Sequence, residues 1–267
     1  MNDRPSNIDV ISVTGLFVTT EYDGTGKTIK EGLNPRSIFT INPTPPDKVG
    51  EDPETIIAWT VAAIRQRIRE LKDQFGEVRV VLVGHSYGAL MAIMAASRMQ
   101  FEDIVKVIVI EGPLNPDVEV SPPTLLPHLR LCGTHYKARP GLCREAEAVL
   151  GTLGTSKVVI IRNTNDSVVP PEAQELAGDF QKVELHDEHD LTSLESLDNS
   201  RGVIVTLPPH IGGTSGGLKS VLPPGYRNHL FWSAEKKALI NAIVAAVTAD
   251  HPRSSRRTSA SRSEAQM

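Results

Sequence analysis

Val78-Arg79-Val80-Val81-Leu82-Val83-Gly84-His85-Ser86-Tyr87-Gly88-Ala89-Leu90-Met91 joins a short apolar run to a stretch rich in Ala and Met across one glycine-flanked serine. Residues 78–83 are almost wholly apolar, the pattern of a strand covered on both faces, as in parallel sheets. Residues 87–99 read as a helix. Between them stands Gly84-His85-Ser86-Tyr87-Gly88, a G-x-S-x-G pentapeptide. Alone it is a common coincidence, because Gly and Ser are abundant residues. Its position gives it meaning. A strand-to-helix turn this sharp forces its central residue into strained backbone geometry and crowds the neighbours. Glycines two residues to either side relieve the crowding, and the serine hydroxyl projects from the carboxyl edge of the sheet. Ser86 is therefore the candidate nucleophile.

Working outward, Gly76 closes a helix that opens with Asp52 as N-cap and Pro53 at its first position. Its apolar residues Ile57, Val61, Ile64, Ile68, Leu71 and Phe75 step by fours and threes, the stripe of a helix packed on a sheet. Strands are expected at 8–14, ending at Gly15, and at 37–41, closed by Asn42-Pro43. Further strands are expected at 104–110, 157–161 and 202–207, with a last helix over about 233–248. Alternation of this kind predicts an α/β fold: a mostly parallel sheet with helices on both faces, in a single domain over 1–249. Residues 115–156 break the rhythm with five prolines, Pro116, Pro122, Pro123, Pro127 and Pro140, and with Leu125, Leu126, Leu129 and Leu131 between them. They are expected to form a lid-like insertion with an apolar underside, although a packed surface loop has the same composition. Residues 250–267, rich in Ser and Arg, are expected to be a disordered tail. No internal repeat is found.

Composition removes several classes of function. The 267 residues carry 28 Lys and Arg against 32 Asp and Glu, a formal charge of −4, which gives nucleic acid no electrostatic foothold. No apolar run approaches the roughly 20 residues a membrane span needs. Met1-Asn2-Asp3-Arg4-Pro5-Ser6-Asn7 has no apolar core of a secretory signal, so a cytoplasmic protein is expected. With 2 Trp, 4 Tyr and 6 Phe, stacking platforms for sugars or single strands are not expected. Cys132 and Cys143 are expected as free thiols. His128 and His135 lie close to them, but the spacing matches no zinc knuckle, and no metal site is expected.

With the pentapeptide placed between strand and helix, the chain resembles the α/β-hydrolase family over about residues 8–249, entering at the family's third strand without the first two. A serine hydroxyl at neutral pH needs a base, and the base needs an orienting carboxylate. The resemblance implies that the acid follows a strand downstream of the elbow. Arg162-Asn163-Thr164-Asn165-Asp166-Ser167-Val168-Val169-Pro170 has that form, which makes Asp166 the acid; Glu111, at the end of the preceding strand, is the backup. The base should lie between the last strand and the final helix, where His229 stands in Tyr226-Arg227-Asn228-His229-Leu230-Phe231-Trp232. The rival is His189, in His186-Asp187-Glu188-His189-Asp190 after Val183-Glu184-Leu185, with His186 and His210 behind it. His85 is read as packing. The implied oxyanion donors are the backbone N–H of Tyr87 and that of Leu16, or else Phe17, after Val13-Thr14-Gly15. Phe17, Tyr87, Tyr226, Phe231 and Trp232 cluster in sequence around these loops and would shape a small apolar pocket.

The resemblance implies a serine hydrolase that cleaves a carboxylic ester or related acyl bond through an acyl-enzyme. It needs no cofactor, and its partner is a small, partly apolar acyl substrate. Two other readings remain open. A hydrolase fold whose triad has decayed would be a binding protein. Asp23-Gly24-Thr25-Gly26-Lys27-Thr28 invites a nucleotide-binding reading, but Glu21 occupies the position where a phosphate loop requires glycine.

Overall fold

A computed structural model of the chain describes residues 6–15, 29–30, 33–43, 51–120, 133–153, 157–163, 169–177, 181–185, 203–207 and 218–222. Six parallel strands form the main sheet: β1 (Ser6–Val13), β2 (Pro35–Ile41), β3 (Val80–His85), β4 (Ile104–Ile110), β5 (Val158–Asn163) and β6 (Gln181–Leu185). Their spatial order is β2-β1-β3-β4-β5-β6. The chain first steps outward from β1 to β2, then crosses back over β1 and builds in the other direction. Strand order therefore reverses between β1 and β3. In open α/β sheets, the crevice beyond the carboxyl ends at such a reversal is where ligands bind.

Alternation along each strand divides the core. Ile11 and Val13 of β1, Val80 and Leu82 of β3, Val107 and Val109 of β4, and Val158 and Ile160 of β5 face one layer. Ile8, Val10, Val81, Val83, Ile108, Ile110, Val159 and Ile161 face the other, where Ile29 and Leu33 join them. Three helices supply the first layer: α1 (Pro53–Phe75), α2 (Tyr87–Arg98) and α3 (Gly133–Leu153).

Helix α1 has the caps its sequence predicts. Asp52 accepts from Thr55 N at 3.1 Å, and Gly76, at φ 77°, donates its N–H to Lys72 O. Ile57, Val61, Ile64, Ile68 and Leu71 are buried as expected. Phe75 is not: it stands 39% exposed, with the Arg36 guanidinium 4.2 Å from its ring centroid. It is the last residue of α1. Arg98, closing α2, donates to Glu54 of α1 at 2.7 and 3.0 Å and to Glu145 of α3 at 3.1 Å, tying the three helices together. Its hydrogen bonds hold the Glu54 carboxyl below the usual carboxylate range.

Part of the expected lid belongs to this layer. Cys143, Ala146 and Leu150 of α3 are fully buried against the core, while residues 121–132 lie outside those described. Arg139, also on α3, donates to the carbonyls of Asn115 and Val118, so the helix clamps the chain leaving β4. Burial pushes the Cys143 thiol up to about 12. At about pH 8 it should therefore resist iodoacetamide in the folded protein and react once urea unfolds the chain, as peptide mass mapping would read. Rapid labelling in the folded state would contradict its place in the core. Cys132 and the tail at 250–267 lie outside the described residues.

The late strand expected at 202–207 requires a correction. It is β7 (Val203–Leu207), paired antiparallel with β8 (Leu218–Leu222) in a separate two-stranded sheet. The strand that extends the parallel series past β5 is β6.

Candidate active site

Ser86 stands where β3 gives way to α2, with φ 56° and ψ −129°. Few non-glycine residues hold such a backbone, and they do so where the surroundings enforce it. Here three glycines allow the enforcement. A Cβ on Gly84 would lie 2.5 Å from Ala89 Cα and from Gly88 O. One on Gly88 would lie 2.2 Å from Val13 O and 2.3 Å from Thr14 O, so α2 starts hard against the end of β1. One on Gly15 would sit 3.0 Å from Ser86 Cβ and 3.5 Å from its Oγ. The ends of β1 and β3 thus meet across the reversal point, with the serine between them.

The backbone around the turn is pinned. Ser86 N donates to Ile110 O at 2.9 Å, and Ala89 N donates to Ser86 O at 2.9 Å. Since α2 begins at Tyr87, the positive end of its dipole lies at the serine, where negative charge would be stabilised. Tyr87 is itself buried.

Beside the serine lies a polar pair. His85 Nε2 is 2.8 Å from Glu111 Oε2, and both side chains are buried. Glu111 follows β4 directly and also has positive φ, 51°. The register of β3 and β4 sets His85 opposite Ile110, which brings the next residue within reach. His85, read as packing, is thus a hydrogen-bond partner, and the backup acid is engaged with the residue that precedes the nucleophile.

A model of the alpha/beta hydrolase family matches residues 24–253, most of the chain. The chain belongs to the alpha/beta hydrolase family. It is a hydrolase. No curated protein matches it. Among solved structures it is similar to one described as LipS and LipT, two metagenome-derived lipolytic enzymes, at 17% identity and TM-score 0.48, covering 72% of this chain and 91% of that one. The esterase domain of a Rhodothermus marinus protein is matched at 15% identity and TM-score 0.46, covering 69% and 79%. RedJ, a thioesterase from the prodiginine pathway of Streptomyces coelicolor, is matched at 14% identity and TM-score 0.42, covering 69% and 83%.

Of the residues expected in this hydrolase's site, Ser86, Tyr87 and Glu111 are described, and Gly15 joins them. Leu16, Phe17, Asp166, His186, His189, His210 and His229 lie outside the described residues, as does the glycine-rich segment 23–28. Among the described residues, no three His, Cys, Asp or Glu gather to hold a metal, and no helix is long and apolar enough to cross a membrane.

Proposed function

We propose that this hydrolase cleaves a carboxylic ester or related acyl bond through an acyl-enzyme on Ser86, with Asp166 and His229 completing the triad. The observation that carries the reading is the serine's φ of 56° on a glycine-flanked strand-to-helix turn at the carboxyl edge of the sheet. Such a turn spends conformational energy to present one hydroxyl where two strand ends and a helix N-terminus converge.

In the reaction, Ser86 Oγ attacks the acyl carbonyl carbon while His229 takes the hydroxyl proton, and Asp166 holds the resulting imidazolium. The N–H groups of Tyr87 and of Leu16, or Phe17, receive the oxyanion, helped by the α2 dipole. Collapse breaks the bond to the leaving group, which takes the proton from His229. Water, deprotonated by the same histidine, then attacks the acyl-enzyme and releases the carboxylic acid, restoring Ser86.

Support for Asp166 comes from its place in the chain, between Asn163 at the carboxyl end of β5 and Val169. For the base, the strand expected just before His229 is an arm of the β7–β8 hairpin and not part of the parallel sheet, so support for His229 rests on its place ahead of the expected final helix. His189 is the competitor because it follows β6 more closely. Hydrolysis of p-nitrophenyl esters of increasing acyl length separates them. His229→Ala should lower kcat by about three to four orders of magnitude and His189→Ala by less than about threefold. Loss confined to His189→Ala would reassign the base. Rates that rise with acyl length would match an apolar acyl pocket, and flat rates would remove that part of the proposal.

A further inference from the structure

We propose that Glu111, acting through His85, is a positioning residue for the nucleophile: the buried pair locks the strained turn that presents Ser86. The inference rests on the reading of Ser86 as nucleophile and adds a device that holds it. Two connections bracket the turn between β3 and β4. One is main-chain, from Ser86 N to Ile110 O at 2.9 Å; the other is side-chain, between His85 Nε2 and Glu111 Oε2 at 2.8 Å. Glu111 N is itself held by Ile161 O at 3.1 Å, so the clamp extends to β5.

Both Ser86 and Glu111 carry positive φ, 56° and 51°, each a conformation that relaxes unless neighbours over-determine it. Main-chain hydrogen bonds fix where a strand ends. At the corner itself they hold Ser86 through both its N–H and its C=O. His85 is the residue before that corner, and its imidazole is tied to a carboxylate just past the next strand, which adds a side-chain restraint to the main-chain ones. Glu111 shows no exposed surface and His85 only 6%, so water does not compete for the bond. Gly15 also comes close to the turn: a Cβ in its place would lie 3.0 Å from Ser86 Cβ. A small rotation at Ser86 would therefore misdirect the hydroxyl.

The prediction concerns reactivity of the serine more than ester binding. The test measures the rate of Ser86 phosphonylation by a fluorophosphonate, together with kcat and KM for a p-nitrophenyl ester per titrated active site. Glu111→Ala and His85→Ala should each lower the phosphonylation rate and kcat by about tenfold or more, with KM within about twofold. Glu111→Gln keeps an acceptor for His85 Nε2–H and should restore the rate to within about threefold of wild type. The double variant His85→Ala/Glu111→Ala should be no slower than the worse single one, because the two residues act as one unit.

Where a single variant leaves a buried polar group unpaired and fails to fold, His85→Phe/Glu111→Met keeps the volume and removes the pair. That folded variant should show the same loss. Wild-type phosphonylation rates in it, or in Glu111→Ala, would overturn the proposal. So would losses that multiply in the double variant, which would make Glu111 an independent acid in the triad. Failure of wild type itself to be labelled would instead remove the reading of Ser86 as nucleophile.

Discussion

Ser86→Ala is expected to lower kcat for a p-nitrophenyl ester by about four to six orders of magnitude while leaving thermal unfolding within a few degrees of wild type. The substitution removes the attacking oxygen and nothing else of comparable size. It leaves the strained φ of 56° in place, and alanine tolerates that backbone no better than serine does. The fold should therefore neither gain nor lose much. A parallel loss is expected for Asp166→Asn, since the orienting carboxylate is removed. Near-wild-type turnover by Ser86→Ala would point to catalysis elsewhere in the chain. A wild-type protein with no turnover on any ester would favour the binding-protein reading.

Among the glycines the structure describes, Gly88→Ala is expected to be the most damaging added methyl. Its Cβ would meet two backbone oxygens, Val13 O at 2.2 Å and Thr14 O at 2.3 Å. Neither belongs to a flexible side chain that can swing away, so α2 must lift from β1 or β1 must bend. Overpacking of a well-filled interior costs about 1–3 kcal/mol, and a clash with fixed backbone belongs at or above the top of that range. Destabilisation of about 3 kcal/mol or more, with loss of activity, should show in urea unfolding. Gly141→Ala is the control: its Cβ would meet nothing within 4 Å on a helix, and it should gain about 0.5–1 kcal/mol. Equal stability in the two variants would contradict the close approach of α2 to β1.

What could be read in the sequence is what local chemistry determines. The elbow was legible because strand, turn and helix are contiguous and each glycine has a steric task. Helix α1 was legible from its caps and its stripe, apart from Phe75, which continues the stripe but is exposed at the helix end. Strand β4 was read to the residue because 104–110 is apolar apart from Lys106 and is bounded by Asp103 and Glu111. Helix α3 was hidden by proline. Pro140 lies inside it, and the prolines before it made the whole stretch read as a lid-like insertion or a packed surface loop, although Cys143, Ala146 and Leu150 form a buried stripe.

Pairing between distant segments was less legible still. Nothing within 202–207 distinguishes a sixth parallel strand from one arm of a hairpin, and Leu218-Lys219-Ser220-Val221-Leu222 is too short and too polar in the middle to announce the other arm. The His85–Glu111 pair depends on the β3–β4 register across 26 residues of sequence, so neither residue signals the other. Gly15 was noted as part of a loop. Its closeness to Ser86 follows only once strand order reverses between β1 and β3.

The central claim is that Ser86 is the nucleophile of an acyl-transfer hydrolase. The measurement that tests it most directly is mass mapping of the whole protein after reaction with a fluorophosphonate. One adduct is predicted per chain, on the peptide that carries Ser86 and on that residue within it, with none in Ser86→Ala. No adduct on the folded wild-type protein, or one on a different residue that persists in Ser86→Ala, would contradict the account.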